Sequence, residues 1–261
     1  MNEKVITSKD NDLVKYAAAL SEKRERARSG CFLMEGRRAV SEALAAGCVR
    51  QLIFSQTFAA SEAFSLAGNG GIPTAVLSDP LFRKISGTMT PQGIAAICKI
   101  AKHDLHQVLV REDHILLLED LRDPGNLGTV IRTAAAAGFR ALIASEGCVD
   151  AYNPKVVRST AGCLLKIKII QCRGDLIQIA EEAKHTGFRI YAAHPRGGKD
   201  LFETEFAGKL AIALGNEANG LSSRMLRLCD QLVTIRMEAG VESLNASVAA
   251  ALMMYETRRK K

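Results

Sequence analysis

The sequence predicts an α/β protein in which a mainly parallel-sheet domain follows a smaller α/β domain. Three observations carry this reading. Short apolar runs alternate with helical spacing along most of the chain, a charged stretch interrupts that alternation once, and 261 residues suffice for two cores at about 150 residues per domain. The expected domains are residues 1–104 and 114–261.

In the first block, Cys31-Phe32-Leu33-Met34, Gln51-Leu52-Ile53-Phe54, Thr74-Ala75-Val76-Leu77 and Ile94-Ala95-Ala96-Ile97 read as strands bounded by glycine, proline and serine. Between them, Arg37 to Ala46 and Pro80 to Ile85 carry helical spacing, and one sheet covered by helices accommodates that order. The stretch Ala101 to Asp113, with His103, Asp104 and His106, breaks the periodicity and is expected to be a linker. Further strands are expected at Ile115 to Leu118, Ala141 to Ala144, Ile167 to Ile170, Arg189 to Ala193, Leu210 to Leu214 and Leu232 to Ile235. Helices between most of these make strand-helix-strand units, hence a mainly parallel sheet covered on both faces.

Composition narrows the class. Apolar residues form 48% and charged residues 24% of the chain, and no apolar run approaches the ~20 residues of a membrane span, so a soluble protein is expected. The start, Met1-Asn2-Glu3-Lys4, has no apolar stretch behind a basic end, and the expected location is the cytoplasm. Seven cysteines without a C-x-x-C pair read as reduced, and the five histidines form no ligand spacing, so neither disulfide nor metal is expected. The net charge of +7 suits a polyanionic partner, and equally a merely basic cytosolic protein. Basic residues cluster at Lys23, Arg24, Arg26 and Arg28, at Arg37 and Arg38, and at Arg258, Arg259, Lys260 and Lys261; each cluster is either a nucleic-acid contact or a solvated face. Aromatic residues reach only 5%, which favours contact with phosphate and shape over base stacking on rings. The dinucleotide, P-loop, G-x-S-x-G and H-E-x-x-H signatures are absent.

Open α/β sheets bind ligands at the carboxyl ends of their strands, where three polar islands stand in otherwise uncharged segments. Asp123-Pro124-Gly125-Asn126 opens a helix whose Leu127, Val130, Ile131, Ala134, Ala135 and Gly138 share one face; Arg132 is the lone charge between Asp123 and Arg140. That arginine either marks a face covered by another element or subunit, or is one exposed side chain. Gly215-Asn216-Glu217-Ala218-Asn219-Gly220 follows the Leu210 to Leu214 run, as a ligand loop or as ordinary turn chemistry. Glu242-Ser243-Leu244-Asn245 opens a last helix, with Ser243 as the expected N-cap and Asn245 in the first turn, and such residues often cap and do nothing else.

In order and spacing these islands resemble the three motifs of the SpoU family of SPOUT-class RNA methyltransferases: Asp123 through Arg132 to Gly138-Phe139, Leu214-Gly215-Asn216-Glu217 through Gly220-Leu221-Ser222, and Glu242-Ser243-Leu244-Asn245. The earlier part, with Glu35-Gly36-Arg37-Arg38-Ala39-Val40, is similar to the family's substrate-binding domain, so nearly the whole chain is covered. The resemblance implies a deep trefoil knot, S-adenosylmethionine as cofactor, a homodimer with sites built from both subunits, and 2'-O-methylation of structured RNA. Ribosomal RNA is preferred; transfer RNA, or an assembly factor without chemistry, is the alternative. It also implies cofactor contacts at Gly215, Ile235 and Leu244, with Ala192 and His194 beside them, and active-site positions at Asn126, Arg132, Glu217, Ser243 and Asn245.

A guanidinium essentially never loses its proton, so Arg132 is not read as the base. It would clamp the phosphate beside the target ribose and stabilise the developing alkoxide, while phosphate or water takes the proton. Glu217 and Asn245 would orient Arg132 and the ribose, Asn126 would position the nucleotide, and Arg24, Arg28, Arg37 and Arg38 would bind RNA.

Overall fold

The structure, a computed structural model, describes residues 5–61, 71–172 and 174–259. Met1 to Lys4, and Lys260 and Lys261 of the basic tail, lie outside them. The chain forms two compact units, residues 1–101 with 152–165, and residues 102–151 with 166–261.

The first unit begins with two helices, α1 (Asp12–Ala19) and α2 (Lys23–Ser29), then β1 (Cys31–Glu35), α3 (Arg37–Ala45), β2 (Val49–Ser55), α4 (Gln56–Ala59), β3 (Thr74–Leu77), α5 (Asp79–Ile85) and β4 (Ile94–Lys99). The four strands lie in the order β1-β4-β2-β3, with β4 antiparallel to β1 and β2, and β2 parallel to β3. Val14 and Ala17 from the first helix, with Leu20 at its C-cap, join Ile53, Leu77, Phe82 and Ala95 in one apolar core. Local chemistry sets the ends: Asn11 caps α1 through its side chain, and Gly30 closes α2 at φ +65, a conformation that disfavours any residue with a Cβ.

The second unit contains α6 (Leu105–Arg111), β5 (His114–Leu118), α7 (Pro124–Ala137) and β6 (Ala141–Ala144); α8 (Pro154–Ser159) follows in sequence but packs within the first unit. There Phe32 meets Tyr152, with ring centroids 4.9 Å apart. The second unit resumes with β7 (Lys168–Gln171), α9 (Leu176–His185), β8 (Arg189–Ala193), β9 (Lys199–Asp200), β10 (Leu210–Leu214), α10 (Ser223–Leu228), β11 (Gln231–Thr234) and α11 (Ala246–Glu256). Its seven strands run in the order β7-β6-β5-β10-β8-β11-β9, and every pairing is parallel. Interior strands β6 and β10 are buried along their whole length, as their unbroken apolar sequences require of strands covered on both faces.

The expected linker is corrected. Within residues 101–113, Asp104 caps α6 by accepting from the Gln107 amide, and Val108 and Leu109 are buried in the second core. A seven-residue helix shows only two buried positions, too few for its period to stand out among charges. The basic run at residues 23–28 is α2, and its third member is spoken for: Arg26 is buried and donates to the carbonyls of Leu20 and Ser21.

Candidate active site

The strand order places the loops after β5 and β10 side by side, because these two strands are neighbours and parallel. Successive elements leave β5 towards β6 on one side, while β10 and β8 lie on the other, so a crevice is expected at these carboxyl ends. Three hydrogen bonds clasp the two loops. Asn216 Nδ2 donates to the Asp120 carbonyl at 2.9 Å, the Ser222 amide to Glu119 Oε2 at 2.7 Å, and the Asp123 amide to Glu217 Oε1 at 3.3 Å. Asp120 is held at φ +56, and its carboxylate accepts from the Ser145 hydroxyl. Glu119 and Asp120 were not among the expected site residues; their only sequence signal is their place at the end of an apolar strand.

Helix α7 starts at this crevice. Asp123 caps it by accepting from the Asn126 amide, and Leu127, Val130, Ile131 and Ala134 bury the core-facing side. Each large apolar side chain so buried contributes roughly 1.5–3 kcal/mol. The helix is therefore firmly seated, and Asn126 in its first turn has a fixed position. Asn126 Nδ2 donates to Glu217 Oε1 at 3.1 Å. Asn245 Nδ2 in turn donates to Asn126 Oδ1 at 2.9 Å. One relay thus joins the three islands.

The expected N-cap is corrected here. Asn245, not Ser243, caps α11, its Oδ1 accepting from the Ser247 amide at 2.8 Å and the Ser247 hydroxyl at 2.6 Å. Capping consumes the oxygen and leaves the amide nitrogen to reach Asn126, so one side chain starts the helix and joins the site. Ser243 precedes the helix and lines the cavity described below.

Burial by itself would raise the Glu217 carboxyl, but hydrogen bonds from Asn126 and from the backbone amides of Glu217, Asp123 and Arg122 outweigh it and hold the group below the usual carboxylate range. Glu217 is therefore an acceptor that fixes the Asn126 amide. Arg132 stands apart: it lies two turns further along α7, is exposed, and makes no hydrogen bond or ion pair among the described residues. The expectation that Glu217 and Asn245 orient Arg132 is not met within one chain, since both act on Asn126.

Beside the relay lies a cavity of about 370 Å³, lined by Glu217, Ser243, Gly215, Ile235, Leu244 and His194, among others. Ala192 is corrected: it is fully buried in the core between the sheet and α9, and strand alternation turns its neighbour Ala193 into the cavity instead. The wall at Gly215 tolerates no side chain, because a Cβ there would stand 2.1 Å from the Gly220 carbonyl carbon. Asn216 and Gly220 bridge to close that loop, with Gly220 at φ +67. Apolar Leu226, Ile235, Met237 and Leu244 face these backbone turns across the cavity. An apolar wall opposite polar backbone suits a heteroaromatic ligand with hydrogen-bonding edges.

Of the expected RNA contacts, Arg24 and Arg28 lie exposed on α2, where Glu25 holds Arg28 through two hydrogen bonds of 2.8 and 2.9 Å. Arg37 and Arg38 open α3 and are exposed.

Residues 113–255 match the model of the SpoU rRNA Methylase family, and residues 11–96 match the MRM3-like substrate binding domain. The chain is 35% identical to the 23S rRNA (guanosine(2553)-2'-O)-methyltransferase RlmP of Bacillus subtilis, over 98% of this chain and 99% of that protein. Two solved structures superpose on it: the AdoMet-bound rRNA methyltransferase from Sinorhizobium meliloti (TM-score 0.86, 28% identity, covering 98% of this chain and 97% of that one) and the SpoU methyltransferase AviRb from Streptomyces viridochromogenes with AdoMet (TM-score 0.86, 29% identity, covering 95% and 97%).

Proposed function

The chain belongs to the SpoU rRNA Methylase family, and from that premise we propose that it methylates a ribose 2'-hydroxyl of ribosomal RNA, 23S rRNA by preference, using S-adenosylmethionine. The observation that carries this reading is the Glu217–Asn126–Asn245 relay ending beside a cavity whose glycine-built wall fits the cofactor. Gly215, Ile235, Leu244 and His194 would hold S-adenosylmethionine, with Ala193 in the place expected of Ala192. When bound, the cofactor supplies a sulfonium methyl group, a soft electrophile.

What this chain must add is orientation and charge stabilisation. Glu217 remains ionised and fixes the Asn126 amide, Asn245 holds the other side of that amide, and Asn126 thereby positions the nucleotide. Arg132 clamps the phosphate next to the target ribose and stabilises the alkoxide as phosphate or water takes its proton. Its lack of a hydrogen-bond or ion-pair partner among the described residues supports a role in the site of a second subunit. A homodimer is further supported by Val248, Leu252 and Tyr255, which leave an apolar stripe on α11 that is 46%, 37% and 54% exposed. After β11, on the far side of β8, the chain returns so that α11 packs on α7 and β10; we read this return as the deep trefoil knot.

In place of the expected residues 1–104 and 114–261, the first unit, residues 1–101 with 152–165, would serve as the RNA substrate-binding domain and the second unit, residues 102–151 with 166–261, as the methyltransferase domain. The family-model matches support that division outside residues 152–165. No helix among the described residues is long and apolar enough to cross a membrane, and a ribosomal substrate agrees with a cytoplasmic location.

The test is transfer of labelled methyl groups from S-adenosylmethionine into separated ribosomal and transfer RNA lacking the modification, comparing the native chain with Arg132→Ala. Alkali-resistant label in 23S rRNA, lost in the variant, is expected. Label in transfer RNA alone would move the substrate, and no label in any RNA would sink the enzymatic reading in favour of a binding factor.

A further inference from the structure

Two cysteines of the first unit meet across neighbouring strands, and methyl transfer uses neither. All seven cysteines are free thiols. Cys98 sits in β4 with Val49 of β2 as its register partner, and Cys48 is the residue immediately before Val49. Ala95 and Ile97 of β4 point into the core that contains Val14 and Phe82, so alternation turns Cys98 to the opposite face, where it is fully buried. Helix α3, which packs on β4, draws Cys48 towards it: the Ala43 carbonyl accepts from the Cys48 amide at 3.3 Å and from its thiol at 3.5 Å. The two thiols there hydrogen-bond to each other.

The pair divides the two tasks of a reactive dithiol. Cys48 is half-buried and follows the exposed Ala46 and Gly47, so small solutes reach it, whereas Cys98 is sealed. The hydrogen bond from Cys98 stabilises a thiolate at Cys48 and draws that group down to about 7, against the opposing effect of burial. The same bond, together with burial, pushes Cys98 up, so Cys98 keeps its proton. A thiolate is the form that attacks peroxide, and a thiol held beside it can capture the oxidised sulfur. The backbone already permits a bond. A disulfide needs Cα atoms about 4.4–6.8 Å apart, and an offset of one residue across antiparallel strands gives roughly 6 Å.

We propose that Cys48 and Cys98 form a reversible dithiol–disulfide couple that staples the first unit when hydrogen peroxide closes it. The Cys48 sulfur attacks one peroxide oxygen, the O–O bond breaks, and Cys48 becomes a sulfenic acid while the other oxygen leaves as hydroxide and is protonated to water. The Cys98 sulfur, giving up its proton, then attacks the Cys48 sulfur. The S–O bond breaks, hydroxide leaves with that proton as a second water, and the S–S bond forms. Two thiols thus lose two electrons and one peroxide is reduced to two waters; a small dithiol reverses the change by exchange. The bond closes a loop of about 50 residues, which restricts the unfolded chain and stabilises the folded one. Neither cysteine lines the cofactor cavity, so the couple stands whether or not the protein methylates RNA.

The test is peroxide treatment of the reduced full-length protein, then alkylation of the remaining thiols and peptide mapping without reductant. A Cys48–Cys98 linked peptide is expected, with an intact mass lower by two hydrogens, reversal by dithiothreitol, and a higher Tm for the linked form. Cys48→Ser should give neither the link nor the rise in Tm, while binding S-adenosylmethionine as the native protein does. In Cys98→Ala, which leaves Cys48 without a capturing thiol, dimedone should label Cys48 before any other cysteine; the native peptide map decides the question even if that variant fails to fold. Alkylation of both thiols after peroxide, a link from Cys48 to another cysteine, Cys48 driven to sulfinic acid with Cys98 still free, or a linked form that melts no higher than the reduced one would each overturn the proposal.

Discussion

Two positions on α7, Asn126 in its first turn and Arg132 in its middle, are built to different specifications. In its first turn, Asn126 is held from both sides by Glu217 and Asn245, while six residues later Arg132 makes no hydrogen bond or ion pair among the described residues. Both lie on one rigid helix seated by Leu127, Val130 and Ile131. Preorganised polar groups avoid reorganisation when the transition state forms, which suits residues that define a geometry. An unpaired guanidinium keeps all its donors for an incoming anion, which suits a group that completes the site only when RNA, or a second subunit, arrives. The contrast separates what one chain finishes from what it leaves to be supplied.

Breaking the supplied half should have the largest effect. Arg132→Ala is expected to lower kcat by ~10²–10³, the loss typical of removing one charge-stabilising donor, with S-adenosylmethionine affinity unchanged by calorimetry. Arg132→Lys should retain RNA binding yet lose most turnover, because an ammonium cannot form the bidentate contact; near-normal turnover would refute the clamp.

The finished half should fail differently. Asn126→Asp sets a second carboxylate against Glu217, so turnover at neutral pH should fall about tenfold to a hundredfold and recover partly as acid protonates one of the pair. A pH–rate profile as flat as that of the native protein would show that the relay does not act on the nucleotide. Stability should follow the sign of the Glu217 shift. A carboxyl depressed in the folded state stabilises at neutral pH and loses that contribution as pH falls through its lowered value, so Glu217→Gln should lower Tm at neutral pH and flatten its decline in acid.

A smaller, more local effect is expected at the cavity wall. Gly215→Ala introduces a Cβ that meets backbone at 2.1 Å, and should cost about 1–3 kcal/mol of stability and weaken S-adenosylmethionine binding without altering RNA affinity. The smallest effect belongs to the surface. Replacing Arg38 by Gln should weaken RNA binding a few-fold and reduce the slope of log affinity against log salt by about one, the signature of one lost phosphate contact. Arg28 should matter less than Arg38, since Glu25 already holds it.

Much of this molecule was legible before any coordinates. Four strands match the expected ends residue for residue, Thr74 to Leu77, Ala141 to Ala144, Arg189 to Ala193 and Leu210 to Leu214, because each is a short apolar run between turn residues and its period is local. Polar islands were visible for a related reason: a lone charge in an apolar segment needs an explanation wherever the segment folds. The short helix α6 and the two helices before Cys31 escaped, their apolar positions being too few or mixed with charge.

What the linear pattern determined by itself was therefore the element types, the parallel character of the larger sheet and the three polar islands that the relay joins. Only the tertiary structure decided who meets whom. Glu217 acts on Asn126 rather than Arg132, Asn245 both caps α11 and joins the relay, Ala193 replaces Ala192 at the cavity, and Arg37 lies over the Phe58 ring. Local periodicity follows from backbone geometry within a few residues, whereas these pairings depend on strand order and on side-chain direction between segments up to 119 residues apart, which no local pattern encodes.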